Sequence, residues 1–181
     1  MTQPPAPNPP VLNIQSANFI QLPQLPPKYG GERWNAALAL GAQQLGISII
    51  KIPPGKAAFP YHNHHAIEEM FYILEGQGDM IYGQNPVPRA IRQGDIIVCR
   101  AGGPETAHQL RNSDPNRTLV YLAVSTKAVV DYVEHPMSQK FCVWVNPSQR
   151  VIVNSNNAPG MRYFCGRTNS AVHYFDGEAN T

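Results

Sequence analysis

Charge is what this sequence has least of. Only 14% of its 181 residues are charged, where soluble domains average about a quarter. The 14 Lys and Arg against 12 Asp and Glu leave a net charge of +2. No basic run appears, so the electrostatic footprint of a nucleic-acid binder is missing and a small molecule is the expected partner. Cysteine is equally sparse. Cys99, Cys142 and Cys165 are odd in number and show no CxxC spacing, which argues against a disulfide framework or a structural zinc site and fits a reducing compartment. No stretch approaches the roughly 18 apolar residues of a membrane span, and MTQPPAPNPP has neither a basic start nor an apolar signal core. A cytoplasmic chain without membrane contact is expected.

Proline and short apolar runs are what the sequence has in plenty. The cluster at the start and Leu22-Pro23-Gln24-Leu25-Pro26-Pro27 predict an extended arm over residues 1–35, because proline fixes φ and removes a backbone donor. Helical composition is confined to Arg33–Leu45, where Trp34, Leu38 and Leu45 share a face and Gly41 interrupts. From Ile47 the texture becomes all-β: ISIIKI (47–52), FPYHNH (59–64), EMFYIL (69–74), GDMIYG (78–83), PRAIR (88–92), DIIVCR (95–100), AHQLRN (107–112) and TLVYLAV (118–124), separated by Gly, Pro and Asn turns. Such density predicts a jelly roll or closed barrel, which also hides strand edges. The barrel core is assigned to residues 36–126. Residues 127–181 form a C-terminal extension, with strands at 141–145 and 150–153, that packs on the barrel or on a partner subunit.

Four of the six histidines, His62, His64, His65 and His108, fall in two segments that also carry Glu68 and Glu69. On a strand, side chains alternate faces, so His62 and His64 project to one side with Cα atoms roughly 6 to 7 Å apart, close enough for both imidazoles to reach one ion. Asn63 then points the other way. A carboxylate from the next strand and a third imidazole complete a shell of three nitrogens and one oxygen, leaving room for water or substrate.

The stretch PPGKAAFPYHNHHAIEEMFYILEGQGDM resembles the first motif of the cupin superfamily, in which a Gly precedes HxH, a Glu follows, and six residues lead to another Gly. Glu69 has that spacing to Gly76, so the resemblance favours Glu69 over Glu68 as the ligand. The stretch GDIIVCRAGGPETAHQLRN resembles the second motif, with His108 as third histidine and Asn112 four residues on; its turn at Arg100–Glu105 is longer than usual. The resemblance implies an all-β, double-stranded β-helix (jelly-roll) barrel. It further implies one divalent transition metal, Mn, Fe, Ni, Zn or Cu, held by His62, His64, Glu69 and His108. LGISIIKIPPG and YFDGE are similar to a group of small bacterial single-domain cupins, some labelled sugar-phosphate isomerase.

Lewis-acid isomerisation of a small sugar-like or hydroxy-acid substrate is the expected function. An Fe(II) dioxygenase and a metal or small-ligand binding module without turnover are the alternatives, and no catalytic base is assigned. Phe71 and Ile73 share the face of Glu69, Leu110 shares that of His108, and Tyr61 and Arg100 lie near the motifs; these five are the candidate pocket lining. Alternation turns His65 and Glu68 away from the metal. His135 and His173 lie outside both motifs and are read as structural, and Cys99 as a small buried hydrophobe. A homodimer is expected.

Overall fold

All but the last of the eight apolar runs are cut by Gly, Pro or Asn within eight residues, which keeps the strands short. The computed structural model describes residues 10–24, 26–145 and 162–167. In order it shows β1 (Ile20–Gln21), β2 (Glu32–Asn35), α1 (Ala36–Leu40), β3 (Leu45–Ile52), β4 (Asn63–His64), β5 (Glu69–Glu75) and β6 (Gln77–Tyr82). There follow β7 (Arg89–Arg92), β8 (Ile96–Cys99), β9 (His108–Arg111), β10 (Leu119–Thr126), β11 (Val130–His135), β12 (Lys140–Val145) and β13 (Arg162–Arg167).

Among the described residues all pairings between strands are antiparallel. One sheet runs β1-β2-β3-β10-β5-β8. The second is built from β13-β12-β11-β4 and β7-β6-β9, joined where His62 bridges His108. Between the sheets, Ile50, Ile73, Leu119 and Tyr121 from the first meet Met80, Ile91 and Leu110 from the second in one buried cluster. This is the double-stranded β-helix expected from the sequence.

Three local expectations are corrected. The helix is limited to Ala36–Leu40, because residues 32–35 pair with β3 as a strand. Asn35 caps it by accepting from the Leu38 N–H at 3.0 Å, and Gly41 ends it at φ 72°. The strand expected over 59–64 shrinks to β4, preceded by isolated bridges, since Pro60 has no N–H to give a ladder. Third, Cys142 is disulfide-bonded and the β12–β13 register sets Cys165 opposite it. A bonded Cys142 undoes the reading drawn from an odd cysteine count, and Cys99 is a free cysteine among the described residues. The strand expected at 150–153 lies outside the described residues.

Asn112 locks the strand exits. Fully buried, its Nδ2 donates to the carbonyls of Ile52 and Arg117, each at 2.8 Å, and its Oδ1 accepts from the Asp114 N–H at 2.9 Å. These bonds tie the end of β3 to the β9–β10 turn and fix the start of the segment that carries His62.

Candidate metal centre

Backbone pairing brings the histidines together. The His62 N–H donates to the His108 carbonyl at 3.1 Å and the His108 N–H donates back at 2.7 Å. Directly opposed residues of an antiparallel pair present side chains on the same face, and the two rings lie 4.8 Å apart. His64, two residues on, shares that face, its ring 4.9 Å from that of His62. Glu69 opens β5 in the facing sheet, so its carboxylate reaches the cluster from the other side.

The Nε2 atoms of His108, His64 and His62 lie 2.9, 3.5 and 4.0 Å from a single Glu69 oxygen, Oε2. Ligand atoms of His62, His64 and Glu69 all fall within 4.8 Å of one another. Each Nδ1 faces an atom that only accepts: the Pro60 carbonyl at 2.8 Å, the Asp131 carboxylate at 2.5 Å and the Thr106 carbonyl at 3.1 Å, for His62, His64 and His108 respectively. Each Nδ1 therefore carries the proton and each Nε2 turns a lone pair inward. Lone pairs facing a carboxylate oxygen at these distances repel unless a proton or a cation lies among them. Three imidazole nitrogens and a carboxylate oxygen are a donor set that fits Mn, Fe, Ni, Cu or Zn.

The electrostatics agree with neutral imidazole. Burial, followed by the neighbouring His108, pushes the His62 pKa down to about 3. For Glu69 burial raises the pKa, but the His108 Nε2 at 2.9 Å and the adjacent His64 and His62 outweigh it and bring the carboxyl to about 2. Burial pushes the Cys99 thiol up to about 12, which suits an inert hydrophobe.

The longer turn before His108 still delivers it. Gly102 donates to the His64 carbonyl at 2.8 Å, Glu105 accepts from the Gly103 N–H at 2.9 Å, and the 3-10 turn Pro104–Thr106 leads into β9. Asn63 points away from the centre, as alternation requires, donating to the Gly102 carbonyl at 2.9 Å and to Glu134 at 3.2 Å. His65 also turns outward, to Glu134 at 2.8 Å.

The centre opens into a cavity of about 710 Å³ lined by His62, His64, Glu69 and His108. Of the expected lining residues, Phe71 and Leu110 are there. Tyr61, Ile73 and Arg100 are not among the described lining, and each has a physical reason. Tyr61 alternates with His62 and packs on Ile81 and Ala107, its hydroxyl donating to the Gly83 carbonyl. Ile73 lies deeper in the core, fully buried. Arg100 follows the last residue of β8 and is exposed.

Residues that sequence reasoning passed over complete the surroundings. Asp131 and His135 come from β11, Trp144 from β12 and Arg33 from β2, and all four line the cavity. His135 stacks on His62 at 6.0 Å, its pKa lowered by burial first and then by Lys140. The Val130–His135 alternation was the one signal that could have flagged Asp131.

Residues 48–125 match the cupin domain family. No functionally curated protein matches the chain. Among solved structures, a protein from Acidithiobacillus ferrooxidans provisionally described as a sugar phosphate isomerase superposes with TM-score 0.70 at 23% identity, covering 90% of this chain and 95% of its own. A sugar phosphate isomerase of the cupin superfamily from Silicibacter pomeroyi gives 0.69 at 18% identity, covering 92% and 98%. A predicted oxalate decarboxylase from Thermotoga maritima gives 0.54 at 23% identity, over 65% of this chain and 99% of that one. At such identities the likeness is one of fold. No described helix is long and apolar enough to cross a membrane. The double-stranded β-helix and the match agree over the same stretch, and residues 48–125 carry a cupin domain.

Proposed function

We propose that this chain is a metal-dependent enzyme acting on a small, oxygen-rich substrate, with His62, His64, His108 and Glu69 holding one divalent transition-metal ion. The observation that carries this reading is the convergence of three Nε2 lone pairs on one carboxylate oxygen at the wall of a cavity large enough for a small molecule. When bound, the ion supplies a Lewis acid that polarises a carbonyl or hydroxyl oxygen. The chain's own residues do the rest. Asp131, Pro60 and Thr106 fix the tautomers. Phe71 and Trp144 line the cavity beside the histidines and exclude water, which strengthens every charge interaction within.

Isomerisation of a sugar-like or hydroxy-acid substrate is the reaction we favour, supported by the names of two of the structural relatives. The test is a substrate screen on metal-loaded protein. Interconversion of carbonyl isomers that stops with chelator and returns with metal is the expected result. Consumption of dioxygen together with substrate would replace the isomerase by an oxygenase, and tight binding without turnover by a binding module. A homodimer belongs to this proposal, and sedimentation velocity giving a 20.0 kDa species would remove it.

A further inference from the structure

Arg33 is the one arginine among the described residues that line the cavity. It sits on β2 opposite Ile50 of β3, and Ile50 faces the buried core, so the register turns Arg33 inward. Its side-chain hydrogen bond among the described residues runs from Nε to the Ser48 Oγ at 3.0 Å. That bond aims the guanidinium and, among the described residues, leaves both terminal nitrogens without a hydrogen-bond partner. No carboxylate closes on it as an ion pair among the described residues. Tyr121, buried on β10 on the other side of Ile50, lines the same space.

A partly buried guanidinium is costly without an anion, because arginine does not shed its proton and needs acceptors for its donors. Glu69 is the acidic side chain whose field reaches it, and that carboxylate is committed to the histidine cluster. The second cation on the wall, Lys127, is spent on the Ala42 carbonyl at 2.7 Å. The remaining wall is mostly hydrocarbon and aromatic: Leu38, Phe59, Ile67, Phe71, Val124 and Trp144. A polyhydroxylated ligand needs polar partners around its whole circumference, and beyond the histidine cluster the polar side chains Asn35, Gln43, Gln109, Ser125 and Thr126 are interspersed in a wall that is mainly apolar.

We propose that Arg33, aimed by Ser48, is the anchor for a carboxylate on the substrate, and that the substrate is an oxo- or hydroxy-acid with an apolar body rather than a sugar phosphate. The proposal rests on the metal-enzyme reading and narrows it. The carboxylate takes the two free guanidinium nitrogens in the fork geometry that arginine favours. The apolar body lies on the aromatic wall, and the oxo or hydroxy oxygen faces the histidine cluster.

The experiment is isothermal titration of full-length, metal-loaded protein with three probes: 4-methyl-2-oxopentanoate, its methyl ester and fructose 6-phosphate. Wild type is expected to prefer the acid over the ester by roughly tenfold or more, and to bind the sugar phosphate more weakly than the acid. In Arg33→Gln the acid should weaken roughly tenfold while the ester does not, so the preference collapses. Arg33→Lys keeps the charge, loses the fork and should fall between the two. An acid-over-ester preference unchanged in Arg33→Gln would assign it to the metal and overturn the anchor. Tighter sugar phosphate, or no acid binding to loaded wild type, would overturn the substrate class. Should Arg33→Gln not fold, Arg33→Lys and the wild-type probe order decide. Metal content is measured on the same samples. An absent ion sinks the metal reading, whereas a present ion with Arg33-independent binding sinks this proposal alone.

Discussion

Replacing Asp131 with Asn probes the metal centre without touching a ligand. Asp131 is 2% exposed, and its two oxygens do separate jobs. Oδ2 accepts from His64 Nδ1 at 2.5 Å, and Oδ1 accepts from the Ala66 N–H at 2.9 Å. Asparagine has nearly the same shape but one acceptor, so either Nδ1–H or Ala66 N–H meets an amide donor in a buried site. If Ala66 keeps the oxygen, His64 is driven to the other tautomer, with its proton on Nε2 where the ion needs a lone pair. Losing one charge-assisted bond costs about 1.5 to 3 kcal/mol. That matches the roughly 10- to 100-fold loss of metal affinity typical when such an outer partner is removed. Chelator-competition titration at pH 7.5 should therefore show the dissociation constant rising by about that factor. Glu134→Gln is the control, since Glu134 bonds Asn63 and His65 and no candidate ligand; its affinity should equal wild type. An Asp131→Asn protein that folds and binds metal as wild type does would refute the reasoning.

Two further predictions concern the protein without metal. His62 titrates at about 3 in the fold against 6.5 as a free side chain, so between these values the unfolded chain binds the extra proton and stability falls as pH falls. The slope approaches about 1.4 kcal/mol per pH unit, or roughly 2 kcal/mol lost between pH 6.5 and 5. Glu69, at about 2 against 4.5, adds a loss of the same sign further down. Urea midpoints that stay flat from pH 7 to 5 would contradict the buried neutral imidazole. Gly76→Ala tests the β5–β6 turn: Gly76 has φ 81°, and an added Cβ would lie 2.5 Å from the Thr118 carbonyl oxygen. A loss of about 2 kcal/mol or more is expected in urea unfolding, and a cost near zero would show that the turn relaxes freely.

The barrel was legible because its cause is local. Each of the eight β-rich runs from Ile47 to Val124 has a strand within it. The two-residue repeat likewise put His62 and His64 on one face. Trp34 and Leu38 suggested a helical face, but residues 32–35 are claimed by β3, a tertiary pairing that no local propensity reports. Val130–His135 reads as a weak strand in isolation. It becomes one because its register with β4 sets Val133 against His64 and Glu134 against Asn63, and that pairing delivers Asp131 and His135 to the site. Arg33 was hidden twice over, by the helix assignment and by its distance from both motifs. Side chains supplied by strands far along the chain carry no local mark, and here they include the guanidinium on which the substrate proposal turns.

The most direct test of the metal centre is elemental. Plasma emission on protein purified without chelator should find about one divalent transition-metal ion per chain. With His62 and His108 both replaced by Ala, the ion should be absent while circular dichroism still reports a folded β-barrel. A double variant that keeps about one ion per chain would contradict the ligand assignment, and with it the central claim.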